Sequence, residues 1–279
     1  MKRQCIELEN STVFIHQAER PGNTALIIAG IHGNERCGVE ACENFLKDFE
    51  IQQGKLIVIY ANKEAIARNT RCKEYNLNRC FLKQQPEAMA VSLEGRTAKA
   101  LMPYLNEADV LLDLHASFSL ESQPFVICDE KNVELAKIFS AEKVLTNIDA
   151  FHPGSTDAYM NNQGKIAFCS ECGYLGDEKA TSVAEEAIRA FLQAREECFK
   201  NLPQRKQAVY KVVTLFRNTK EPFKMAREFK DFEELKEKTL IGYEGEKSIF
   251  GEKDDVLLFV RNAPSINEEC FLVAQKLKT

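Results

Sequence analysis

The chain has 279 residues, 44% hydrophobic and 28% charged, with 37 basic against 42 acidic side chains and a formal net charge of -5. That balance excludes a broad basic surface for nucleic acid, and no stretch reaches the roughly 18 apolar residues of a membrane-spanning helix. The N-terminal stretch MKRQCIELENSTVFI has no long apolar segment and no small-residue cleavage site, so no signal peptide is expected.

The ten cysteines (Cys5, Cys37, Cys42, Cys72, Cys80, Cys128, Cys169, Cys172, Cys198 and Cys270) are scattered along the chain. They read as small core residues in a reduced cytoplasm and not as a disulfide scaffold. Cys169 and Cys172 form a lone C-x-x-C with no second pair to complete a structural zinc site, and coincidence is the simpler reading.

In chain order, TALIIAG (24–30), KLIVIYA (55–61), DVLLDLH (109–115), PFVICD (124–129) and KIAFCSE (165–171) are short apolar runs of the kind buried in a sheet. Between them the helical patterns are 37–50, 93–108, 131–144 and 179–202. This alternation predicts an α/β fold with a mixed, largely parallel sheet flanked by helices. After NLPQRKQ the texture changes to short strands at 208–217, 239–260 and 269–277 with glycine turns, and one brief helical pattern at 229–238. The expected organisation is therefore an α/β domain over 1–203 and a small, mostly β domain over 204–279.

His32 follows the first apolar run and Glu35 opens the next helix, while His115 closes DVLLDLH. All three then stand at carboxyl ends of strands, where ligands collect in such sheets. Two close ligands and a distant third, two imidazoles and one carboxylate, are the usual layout of a catalytic zinc site with a position left for water. The bland alternative is that they are polar turn residues. Zinc would bring that water's pKa to about 7, and other divalent metals suit the set less well. A carboxylate base is then needed, and Glu171, at the end of KIAFCSECGY with Gly173 turning the backbone after it, fits that role. RNTRCKEYNLNRCF adds Arg68, Arg71, Asn78 and Arg79 in one loop-like stretch. Arginine forks bind carboxylates, and a further arginine polarises a scissile carbonyl. His16 and His152 stand alone and read as surface or hydrogen-bonded residues, with a place in the pocket lining the less favoured alternative for His152, which precedes the Glu171 strand.

GIHGNE, NLNRCF, LLDLH and SECGY together resemble, in order, the motifs of the succinylglutamate desuccinylase/aspartoacylase family of the zinc carboxypeptidase clan. The terminal β region also resembles that family's small C-terminal domain. The resemblance implies His32, Glu35 and His115 as ligands of one Zn2+ per chain, Glu171 as general base, and Arg71 as the carbonyl-polarising arginine. It implies Asn78 and Arg79 as the grip on the substrate carboxylate, in a hydrolase that splits an acyl group from an amino acid.

Two departures stand out. Asn76 replaces the aspartate of the family's usual Asp-x-Asn-Arg. A tyrosine and an arginine that recognise substrate in the aspartoacylase branch correspond by spacing to Asp157 and Asn161. Losing that arginine weakens the case for an acidic N-acylaspartate-like substrate. Asp157 either prefers a cationic or amine-bearing group or is a turn residue. The branch's C-terminal-domain tyrosine has no clear match, and Tyr159 and Tyr243 stay unassigned.

The expected function is a cytoplasmic, zinc-dependent deacylase of a small N-acyl amino acid or similar carboxylate-bearing amide. A zinc metallocarboxypeptidase acting on peptides and a non-catalytic zinc or ligand-binding protein are the alternatives. No nucleic acid or membrane partner is expected, and a homo-oligomer is left open.

Overall fold

A computed structural model describes residues 2–47 and 49–278. Met1 and Thr279, at the outer ends of the two expected domains, and Asp48, within the expected 37–50 helix, lie outside the described residues. The strands are β1 (Lys2–Glu7), β2 (Thr12–Gln17), β3 (Thr24–Ala29), β4 (Lys55–Tyr60), β5 (Val110–Ser117), β6 (Phe125–Cys128), β7 (Lys143–Thr146) and β8 (Ile166–Tyr174). They continue with β9 (Ala208–Arg217), β10 (Phe223–Met225), β11 (Glu233–Glu234), β12 (Thr239–Glu244), β13 (Lys247–Gly251), β14 (Val256–Leu258) and β15 (Glu269–Lys276). The α-helices are α1 (Arg36–Leu46), α2 (Lys63–Arg68), α3 (Glu87–Ala90), α4 (Leu93–Glu107), α5 (Thr156–Asn161) and α6 (Ala180–Glu196).

Twelve strands form one sheet in the order β1-β2-β4-β3-β5-β8-β6-β7-β9-β15-β14-β11. Its centre, β4-β3-β5-β8, is parallel. Both faces of that centre are covered, which is why β3 reads as an unbroken apolar run. Ala25, Ile27 and Ala29 pack with Ile188 and Phe191 of α6, while Leu26 and Ile28 pack with Ala98, Leu101 and Leu105 of α4 on the other side. The period-2 alternation of a strand sends neighbouring residues into different cores.

The sheet runs on past residues 203–204. β9 pairs in parallel with β7, and β15 and β14 follow it in antiparallel pairing. Phe125, Ile127, Leu145 and Cys169 share a core with Val212, Val256 and Leu272. Among the described residues, β10, β12 and β13 form a separate three-stranded sheet.

Two expected helices are corrected. Residues 131–144 form short 3-10 turns and then β7, because Val144 and Leu145 pair with β6 and β9 and both are fully buried. Residues 229–238 contain the two-residue strand β11, and Asp231 within them is turned inward as an acceptor. All ten cysteines are free, and seven are buried. Cys169 and Cys172 belong to different cores. Among the described residues no helix is long and apolar enough to cross a membrane.

Candidate metal centre and active site

The site lies along the carboxyl ends of β3, β5 and β8. After β3 the chain turns through Gly30, at φ 70°, to His32. Gly33 follows, where a Cβ would sit 2.0 Å from the Ala65 carbonyl carbon, so only glycine lets this loop press against α2. Glu35 stands at the N-terminal cap of α1, yet its side chain makes no capping bond. It is turned toward the two histidines instead. His115 lies inside β5, which continues two residues further to Ser117. In the β5–β8 ladder its direct partner is Glu171.

His32, Glu35 and His115 are all buried, and each offers a ligand atom within 4.8 Å of the others. Glu35 Oε1 lies 2.7 Å from His32 Nδ1, and Oε2 lies 2.8 Å from His115 Nδ1. Of the outward ring nitrogens, His32 Nε2 is hydrogen-bonded at 2.9 Å to Asn76 Oδ1, whereas His115 Nε2 has only an ion-pair contact, 3.1 Å from Asp113 Oδ2. Such outer contacts set the tautomer of a ligating histidine. Asn76 Oδ1 also accepts the Asn78 amide, so it is the acceptor and His32 Nε2 the donor. His32 therefore presents a bare Nδ1 lone pair to a carboxylate oxygen, and this buried nitrogen has no hydrogen-bond partner. Two acceptors that close call for a cation bound by both, and the donor set is of the type that holds zinc.

The electrostatics agree. Burial lowers the His32 pKa to about 4, with Arg71 adding to the effect, so this ring is uncharged near neutral pH. Burial opposes ionisation of Glu35, but the two histidines outweigh it and hold its pKa well below the ordinary value. Burial likewise opposes a charged His115, yet Asp113 and Glu35 on either side raise its pKa well above the usual one. Glu171 is raised to about 8, chiefly by burial and against the pull of His115, with Glu35 and Asp231 adding to the rise. Its Oε2 has no partner. Gly173, at φ 132°, turns the chain two residues later.

His32, Glu35, His115, Arg71 and Glu171 line a cavity open to solvent, together with Asn78, Phe118, Phe259, Leu272 and others. Arg71 Nη1 lies 3.0 Å from Glu35 Oε1. Asn78 accepts the Thr156 amide through its side-chain oxygen. Arg79 lines the cavity, but its fork is already filled: Nε and Nη2 donate to the two oxygens of Glu269 at 2.9 and 2.8 Å. Asp157 is buried on the wall, beside Asp149, whose pKa burial and Asp157 together raise to about 7. Arg68 is excluded from this group, since it pairs with Glu64 on α2 and does not line the cavity. Tyr159 bonds Asn106 instead of facing the cavity, and Tyr243 is exposed on β12.

Several members were not legible in the sequence. His152 is buried in the cavity wall, 3.3 Å from Glu269. His16 is buried in β2, away from the site. Glu94, fully buried on α4, accepts the backbone amides of Lys73, Glu74 and Tyr75 and so shapes the loop carrying Arg71 and Asn76. Asp231 accepts the hydroxyls of Ser117, Ser119 and Ser122 and the Phe259 amide. It ties the C-terminal region to the end of β5. Helical periodicity hides Glu94 and falsely places Asp231 on a helix, so no local signal marks either.

The model of the succinylglutamate desuccinylase/aspartoacylase catalytic domain matches residues 21–200. The chain belongs to the succinylglutamate desuccinylase/aspartoacylase family. A succinylglutamate desuccinylase of Shewanella sp. (strain MR-7) is 24% identical over 215 residues, 67% of this chain and 60% of the relative. A probable aspartoacylase of Acaryochloris marina is 24% identical over 159 residues, 53% of this chain and 54% of the relative. The match thus spans a little over half the length of these family members. Among solved structures, succinylglutamate desuccinylase from Vibrio parahaemolyticus superposes with a TM-score of 0.80 at 20% identity, covering 99% of this chain and 92% of that one. The product-bound ectoine utilization protein EutE from Ruegeria pomeroyi has a TM-score of 0.69 at 17% identity, covering 96% and 88%. At these identities the likeness establishes the mixed α/β fold alone.

Proposed function

We propose that this family member is a metal-dependent amide hydrolase that removes the acyl group from a small N-acyl amino acid, with one zinc ion held by His32, Glu35 and His115. The observation that carries the reading is the convergence of three buried donors within 4.8 Å, beside a Glu171 that has an unpartnered buried oxygen. A divalent ion bound there supplies Lewis acidity to a water and to the substrate carbonyl.

The remaining work falls to side chains of the chain itself. Glu171, with its pKa pushed up to about 8, accepts the proton of the attacking water and returns it to the leaving nitrogen. A base poised near the working pH performs both halves of that transfer. Arg71, paired with Glu35 at 3.0 Å on the cavity wall, supplies the positive charge for the carbonyl oxygen as it gains negative charge. Positive charge elsewhere on the cavity wall, from Arg261, favours a substrate that carries a carboxylate. Asn76 keeps the His32 imidazole in the ligating tautomer, and Asp113 sets its negative charge beside the His115 ring.

Metal analysis of the purified protein, followed by a panel of N-acyl amino acids with the amine half varied from acidic to basic, tests the proposal. About one zinc per chain and release of free amine from at least one member are expected. Metal-loaded protein inert across that panel, or active only on peptides with free C-termini, overturns it.

A further inference from the structure

The three arginines that line the cavity differ in what they already hold. Arg71 donates to Glu35. Arg79 has given Nε and Nη2 to Glu269 and Nη1 to the Asn78 carbonyl. Its carboxylate-binding edge is thus closed by a residue of β15. Arg261 is held differently. Its Nε donates to the Glu269 backbone carbonyl at 2.8 Å, which fixes the guanidinium plane, and its carbon lies 5.6 Å from the centre of the Phe118 ring. The nearest carboxylate oxygen, Glu269 Oε2, is 4.0 Å from its Nη2, beyond hydrogen-bond reach. Its terminal nitrogens are left on the cavity wall, oriented but unforked.

The charge count points the same way. The single Glu269 carboxylate faces Arg79, Arg217, Arg261 and His152. One carboxylate there faces three guanidinium groups, so this end of the cavity keeps positive charge although its most obvious arginine is spent and Glu35, Asp157 and Glu171 line the cavity elsewhere. An arginine braced by a carbonyl and an aromatic face loses little freedom on gripping a planar anion. Resting on the deacylase reading above, we infer that Arg261 anchors the substrate carboxylate and that Glu269 moves the anchor there by filling the fork of Arg79. Arg79 is then a positioning residue that ties the turn bearing Asn78 to β15.

The test is binding, kept apart from turnover by using metal-loaded full-length chain with Glu171→Gln. Each member of a panel of N-acetyl amino acids is titrated calorimetrically against its own C-terminal amide, which lacks the carboxylate. At least one acid is expected to bind about 10- to 100-fold more tightly than its amide, the span of a charge-assisted contact. Arg261→Gln abolishes that preference without changing affinity for the amide, and Arg261→Lys restores part of it. The double variant Arg79→Gln/Glu269→Gln, which removes the internal pair together, keeps the preference within about threefold. Melting temperature and metal content establish that each variant is folded. A preference that survives Arg261→Gln, one lost in the double variant, or no acid favoured over its amide overturns the inference. Binding with this pattern but no hydrolysis by the unmutated chain sinks the deacylase reading alone.

Discussion

Glu171 and His115 are direct register partners on adjacent parallel strands. A base candidate and a metal-ligand candidate therefore stand side by side on one rigid ladder. Separation of their roles is testable. Glu171→Gln keeps the shape and hydrogen-bonding reach but removes the basic oxygen. Turnover of any identified substrate should drop by about 10²- to 10⁴-fold, while zinc content, measured by atomic emission, stays near that of the unmutated protein. Full activity in this variant would show that another group accepts the proton.

Asn76 supplies the oxygen that orients His32. Replacing it by alanine frees the imidazole to rotate and removes the preference for a ligating Nδ1. Zinc affinity should weaken by about 10- to 100-fold, read by competition with a chelator. Asn76→Asp keeps the acceptor and adds charge, so it should bind at least as tightly as the parent.

The raised pKa of His115 predicts a proton on that ring in the metal-free protein, at pH values above the ordinary histidine range. Zinc must displace that proton to use Nδ1. Apparent zinc affinity should therefore fall as the pH is lowered, beginning above pH 6.5. Calorimetry in buffers of different ionisation enthalpy should report proton release on metal uptake. Affinity independent of pH between about 6 and 8 would contradict this ordering of charge.

Glu269 predicts acid behaviour away from the metal ligands. Burial alone would raise its pKa, but His152 and Arg79 outweigh burial and hold it well below the ordinary value of 4.5. A depressed folded-state pKa means the pairing stabilises the fold fully above that ordinary value and is lost as the pH falls below it. Glu269→Gln should thus melt lower than the unmutated chain at pH 7. The gap in melting temperature should narrow as the pH is taken below 4.5, and a constant gap would argue against a charge-based role.

The sequence by itself determined the strands that build the middle of the sheet, because burial on two faces demands continuous apolar runs such as 24–30 and 109–115. It also determined the metal-ligand candidates, since His32 and Glu35 sit at a strand-to-helix boundary and His115 ends an apolar run, although β5 itself continues to Ser117. What spans the chain was decided only in three dimensions. Residues 131–144 have helical spacing, but Val144 and Leu145 gain more by pairing inside the sheet. Asp231 looks like one charge on a helix until the hydroxyls of Ser117, Ser119 and Ser122 close around it. Arg79 reads as a free anion grip until Glu269, 190 positions away, folds onto it. Periodicity reports what a residue's near neighbours do, whereas the partner of a buried charge is chosen by the packing of distant strands.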